Sequence, residues 1–212
     1  MYYFKCIRKS EGGDVPKQVD HQERREEIAR ALWRVVERSG VQRLSLREVA
    51  KEAAMSHGQL QHYFASRQEL LTFAMDLAAE RTAARVAEGI ARLGPDPHPR
   101  DILRLTVIEM LPLHEDARAT SRMSAAYVLE ALHDESVRTR TRDGMLQGRA
   151  QVEQLLRQAI DDGQIAAGRA PSTETDRVLA LTGLTPLLEL GVITADDALA
   201  AVDRHLDELF TT

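Results

Sequence analysis

The chain has 212 residues, 43% hydrophobic and 29% charged, the balance of a protein that folds around a buried core rather than of a disordered or fibrous one. No apolar run approaches the roughly 18 residues of a membrane span, and the opening MYYFKCIRKSEGG lacks the apolar stretch and cleavage site of a secretory signal, so a cytoplasmic protein outside the membrane is expected. The net charge of −5 is unevenly spread: residues 1 to 66 hold 12 Lys and Arg against 9 Asp and Glu, whereas residues 67 to 212 hold 16 against 24.

That asymmetry permits a phosphate-binding front end without requiring one, because a solvated charged helix face looks similar. A lone cysteine, Cys6, excludes an internal disulfide and a cysteine zinc site. Residues 1 to 20, with Gly12, Gly13 and Pro16, show no sustained period and read as a flexible arm. From Gln22 the pattern turns helical: Ile28, Leu32, Val35 and Val36 fall on one face, and Gly40 stands where a C-terminal cap belongs.

Three capping signatures follow in close succession. Ser45 precedes Glu48 by three residues, Ser56 precedes Gln59, and Ser66 precedes Glu69, each pair able to satisfy backbone donors at a helix start. Their spacing describes two short helices and the start of a third, separated by tight turns. The first short helix carries an apolar stripe of Leu46, Val49, Ala50 and Ala53. In the second, Leu60 and Phe64 share a face, leaving His57, Gln59, Gln61 and His62 on or near the outside.

A longer helix of about 25 residues runs from Ser66 to Gly94 and Pro95. Beyond it, helical patterns cover about residues 101 to 111, 116 to 132, 136 to 162, 173 to 190 and 195 to 210, punctuated by Pro112, Gly163, Gly168, Pro171 and Gly191. No alternating β-branched run of useful length occurs, so the fold class is all-α.

A short helix, a tight turn and a second helix with outward polar residues is the shape that places side chains in the DNA major groove. Glutamine suits that position because its amide pairs with adenine in two-pronged fashion. The segment SLREVAKEAAMSHGQLQHYFASRQELL, residues 45 to 71, resembles the DNA-binding signature of TetR-family repressors. The resemblance implies a three-helix helix-turn-helix domain over residues 21 to 66, followed by a larger helical effector-binding and dimerisation domain over residues 67 to 212. It makes Leu46, Val49, Ala50, Leu60 and Phe64 core, spans the recognition helix from Ser56 to Tyr63, and sets Tyr63 and Arg67 on phosphates. Gln61 stands where an aromatic residue is common in the family, Ala65 where proline is common, and Arg67 where lysine is common.

The segment from residue 178 to 210 is reminiscent of the final helix pair in the subgroup that includes the choline-responsive repressor, in which such pairs form four-helix dimer interfaces. Leu181, Leu184, Leu188, Leu199, Val202, Leu206 and Leu209 repeat at three- and four-residue spacing, which is equally what an internal core shows.

The candidate DNA-binding residues are Ser45, Ser56, His57, Gly58, Gln59, Gln61, His62, Tyr63 and Arg67. Arg24 and Arg25 sit among Glu23, Glu26 and Glu27 and read as a solvated charged face. His57 and His62 lie five apart, off the spacing for metal ligands on one helix face, and no paired Cys-His cluster exists. Asp161-Asp162 and Asp196-Asp197 fall at helix ends, where carboxylates cap and complement the dipole. No catalytic group, cofactor or metal is therefore expected. Met110, Met123, Tyr127, Glu130, His133 and Met145 are candidates for a small-molecule pocket, though core packing explains each individually.

Together these readings describe a transcriptional regulator. The expectation is a repressor that binds a palindromic operator in double-stranded DNA as a homodimer through its last two helices, and that a small-molecule effector releases. The alternative is a helical ligand-binding protein or enzyme that uses the C-terminal cavity.

Overall fold

The computed structural model describes residues 15 to 40 and 44 to 210, with side chains from residue 21 onward. Cys6 and most of the expected arm lie outside the described residues. Among the described residues every regular element is helical: α1 (Val15–Ser39), α2 (Leu46–Glu52), α3 (His57–Gln61), α4 (Arg67–Leu93), α5 (Pro99–Met110), α6 (Glu115–Ala131), α7 (Glu135–Asp161), α8 (Pro171–Ala180), α9 (Thr185–Glu189) and α10 (Ala195–Phe210).

Two of these bounds correct the sequence reading. Helix α1 starts at Val15, so residues 15 to 20 of the expected arm are helical. Pro16 then falls in the first turn, where a missing N–H forfeits no intrahelical bond. The single helix expected over residues 173 to 190 is broken into α8, a three-ten turn at Leu181–Leu184, and α9. Pro186 explains the break: its nitrogen cannot donate to the carbonyl four residues back, and its ring crowds that carbonyl.

Burial divides the apolar residues into two clusters. The first gathers Ile28, Leu32, Val35 and Val36 of α1, Val49 and Ala50 of α2, Leu60 of α3, Phe64, and Leu70, Ala74 and Leu77 of α4, and it continues into Met123, Tyr127 and Ala131 of α6. Helix α1 packs against α2, α4 and α6, so the front helices are seated on α6 as well as on one another. The second cluster joins Leu103 and Val107 of α5, Leu156 of α7, Val178 of α8, and Val202, Leu206 and Leu209 of α10.

That second cluster decides a question the spacing left open. Val202, Leu206 and Leu209 are at most 1% exposed within the single chain, so this stripe of α10 is internal core against α5. Ion pairs flank the contact. Arg104 of α5 grips Asp203 of α10 through both oxygens, with one of the two bonds at 3.0 Å. Chiefly through these bonds, the Asp203 carboxyl is held below the usual carboxylate range. No helix among the described residues is long and apolar enough to cross a membrane.

Candidate nucleic-acid interface

Local bonds set the helix-turn-helix. Ser45 accepts from the Glu48 amide at 3.2 Å, Ser56 from Gln59 at 3.1 Å and Ser66 from Glu69 at 3.0 Å, so all three serines cap. The reciprocal arm closes only at Ser56, whose own N–H donates to Gln59 Oε1 at 2.8 Å. At the third cap, Glu69 instead accepts from Ala65 N–H at 2.9 Å.

Helix α2 ends in a Schellman motif. Met55 N–H reaches back to the Ala50 carbonyl at 2.9 Å, Ala54 N–H donates to Lys51 at 3.2 Å, and Ala54 takes the left-handed conformation at φ 53°. Met55 packs on the front core. This closes the turn between α2 and α3 within a few residues and fixes the angle at which α3 leaves it.

Helix α3 is anchored by one residue of its own, Leu60, which is fully buried. Phe64, just beyond it, is also fully buried, 5.3 Å from the Phe73 ring between centroids. The opposite side carries the expected polar face: Ser56, Gly58, Gln59, Gln61 and His62 are exposed, and His57 and Tyr63 are half-buried. Ser45, at the start of α2, is exposed too. Gly58 meets no other group within 4 Å of where a Cβ would stand. Nothing among the described residues calls for a glycine there, and an exposed helical glycine costs up to about 1 kcal/mol relative to alanine. Its bare backbone suits close approach by something outside.

Two of the candidate residues also bond within the protein. Gln59 spends its amide oxygen on the cap and keeps only its NH2 for recognition. The Arg67 Nε donates to the Leu44 carbonyl at 3.2 Å and its NH1 lies 3.4 Å from Glu130 of α6. Charge attraction to a residue 63 positions away has no local signature, so sequence spacing could not reveal it.

Other groups at this face escaped the sequence reading. Arg47 and Lys51, four apart on α2 and away from its buried Val49 and Ala50, are exposed with no ion pair among the described residues. Their spacing on the polar side of the stripe was the available signal. The His21 ring lies 4.9 Å from Tyr63. Arg25, read as part of a solvated face, has its guanidinium 4.6 Å from the Phe64 centroid and 4.5 Å from Phe73. It braces the core beneath α3, a cation-π arrangement visible only in three dimensions.

The six pocket candidates do not converge. Met123 and Tyr127 are buried in the front cluster, and the Tyr127 hydroxyl lies 3.1 Å from Thr72 Oγ1. Met110, His133 and Met145 are exposed, and Glu130 faces Arg67. A connection emerges instead: Gln68, beside Arg67, donates to Asp134 at 3.3 Å and to Ser136 at 3.4 Å, so the start of α4 is tied to α6 and to the turn into α7.

Comparison with known proteins agrees with this architecture. A family model described as bacterial regulatory proteins, tetR family, matches residues 28 to 72, and one described as the C-terminal part of BetI-type transcriptional repressors matches residues 99 to 211. The HTH-type transcriptional regulator PksA of Bacillus subtilis is 29% identical over 92% of this chain and 94% of its own length. A solved transcriptional regulator from Rhodococcus sp. Rha1 superposes with a TM-score of 0.73 at 26% identity, covering 87% of this chain and 95% of that one. A structure from Saccharomonospora viridis, titled as a transcriptional regulator in complex with choline, superposes with a TM-score of 0.71 at 20% identity over 88% of this chain and 95% of that one.

Proposed function

Because the chain belongs to the TetR family of bacterial transcriptional regulators, we propose that it is a homodimeric repressor that holds a palindromic operator through α3 and lets it go when a small-molecule effector binds. The observation that carries the DNA reading is the capped, five-residue α3, which presents Gly58, Gln61 and His62 outward from a rigid base of Leu60 and Phe64.

In this reading residues 21 to 66 form the DNA-binding unit. Gln61 reads a base edge, His57, His62 and the Gln59 NH2 assist, and Ser45, Tyr63, Arg47 and Lys51 sit on phosphates, contacts that position without specifying. The dimer brings two α3 helices to successive major grooves about 34 Å apart. Among the apolar residues that the core leaves out, Leu187 at 37%, Leu190 at 79% and Val192 at 65% exposed lie around the end of α9 and are available to a partner, as are the half-buried Leu184, Leu188 and Leu199.

Release follows from the ties at the start of α4. Arg67 to Glu130, Gln68 to Asp134 and Thr72 to Tyr127 join the element that follows α3 to α6 and the α6–α7 turn. An effector that favours a shifted α6 therefore favours a shifted α4, and it changes the spacing of the two recognition helices in proportion to its preference between the two states.

A mobility-shift titration with the DNA upstream of the chain's own gene tests the reading. A palindromic footprint whose affinity falls steeply with salt is expected, and the absence of any sequence-preferring complex at low salt rejects it. An effector screen begins with choline, the ligand of the Saccharomonospora viridis structure, and reads loss of the DNA complex. Effector-independent operator affinity across the screen rejects the release mechanism.

A further inference from the structure

Helix α6 is apolar on two opposite sides. Met123, Tyr127 and Ala131, each four residues from the next, are buried in the front cluster. Half a turn away, Ala125, Val128, Leu129 and Leu132 share the other side at the helical period, and all four are exposed. Leu129 is 61% and Leu132 59% exposed. Arg122, one turn ahead of this stripe, donates through Nε and NH2 to Glu189 Oε2 of α9 at 2.9 and 2.7 Å. The stripe therefore adjoins the end of α9, where Leu187, Leu190 and Val192 are exposed as well. Six of the ten large apolar side chains left exposed among the described residues fall on these two adjoining elements.

A contiguous apolar surface of this kind marks a place where something docks, and its size and charge favour a second copy of the chain. A stable dimer hides about 800 Å² on each partner, roughly 20–30 residues. The end of α9, from Leu187 to Val192, is a short segment and too small for that alone. The α6 stripe lengthens the apolar surface by about two helical turns. The centre of such an interface is poor in charge, with polar groups at its rim. Between Ala125 and Leu132 the one charged residue is Glu130, which turns to Arg67 instead, and at the join Arg122 and Glu189 neutralise each other.

We propose that the outer face of α6 is a subunit contact, so that the homodimer interface runs from the end of α9 along Ala125, Val128, Leu129 and Leu132. This rests on the homodimer reading and adds to it a helix that the last two do not include. The inner face of α6 carries the front cluster and the ties from Tyr127 and Glu130 to α4. One helix then touches its own DNA-binding half on one side and the partner subunit on the other, and a shift of α6 in either subunit is passed to both recognition helices.

The full chain is followed by sedimentation over a dilution series. Leu129→Ser combined with Leu132→Ser should raise the dimer dissociation constant about tenfold or more, because a twofold contact loses each side chain twice. The same pair should leave the unfolding midpoint of the dilute, monomeric chain unchanged, since both side chains are exposed there. Leu146→Ser on α7, equally exposed but off the stripe, should not move the constant. A photoreactive p-benzoylphenylalanine in place of Leu129 should yield a covalent dimer when the purified chain is irradiated, and so should the same group in place of Leu190. A covalent dimer from position 190 but none from position 129, with the constant unmoved by the paired serines, overturns the α6 contact and leaves the homodimer reading standing. Leu146→Ser acting as strongly as the paired serines also overturns it, since association would then be unspecific. A chain that stays monomeric at every concentration overturns both.

Discussion

Helices α3 and α10 are both amphipathic, yet they are held in place by different means. Helix α3 buries one residue of its own, Leu60, and owes its position to the Ser56 cap and the Schellman turn at Ala54. Helix α10 buries Ala198, Val202, Leu206 and Leu209 in one stripe and is set by what it packs against. A helix placed by short-range bonds leaves its outer face free for recognition. A helix placed by its stripe has spent that stripe, and any partner must use the remaining surface.

The comparison breaks first if the two buried sets are unequal in weight. Phe64→Ala should lower stability by about 3–5 kcal/mol and Leu206→Ala by about 2–5 kcal/mol in denaturant unfolding. If Leu206→Ala altered only self-association and left the stability of the single chain untouched, the α10 stripe would be interface after all. Leu190→Asp is the counterpart. At 79% exposure it should change chain stability by no more than about 0.5 kcal/mol and weaken dimerisation about tenfold or more, read by sedimentation.

Smaller effects sharpen the front half. Ser56→Ala should cost about 1 kcal/mol through the lost cap, and adding Gln59→Ala should cost less than its single-mutant value, because both residues serve one reciprocal box. Gly58→Ala should stabilise the chain by up to about 1 kcal/mol while weakening every DNA complex. A variant that is more stable and still binds DNA fully would remove Gly58 from the interface.

Acid distinguishes the rear half most gently. The Asp203 carboxyl is depressed by Arg104, so its contribution is complete above the ordinary carboxylate range near pH 4 and is lost as pH falls through its lower folded value. Partly exposed, the pair is worth roughly 0.2–1 kcal/mol after solvent screening. Asp203→Asn should therefore cost about that at neutral pH and reduce the loss of stability as pH falls below about 4.

Much of the front of the molecule was legible in the residues alone. Ser45, Ser56 and Ser66 announced where three helices begin, and Val49, Ala50, Leu60 and Phe64 announced which faces turn inward. The candidate recognition residues share one outward face because three-residue capping fixes the register of so short a helix. The contacts of Arg67 and Arg25 inside the protein escaped the sequence reading because their partners, Glu130 and the Phe64–Phe73 pair, are remote in sequence. The proposed pocket residues failed to converge for a related reason: methionine, tyrosine and histidine suit a cavity or a core equally, and only burial sorts them.

The sequence by itself determined the all-helical class, the helix starts and the polar face of α3, since each depends on bonds or spacings between residues three to five apart. Tertiary structure alone decided that the α10 stripe is core, that Arg67 reaches α6, and that Arg122 of α6 meets Glu189 of α9. Those outcomes depend on which helix lies alongside. A periodic pattern records that a face must be covered, but it does not carry the identity of what covers it.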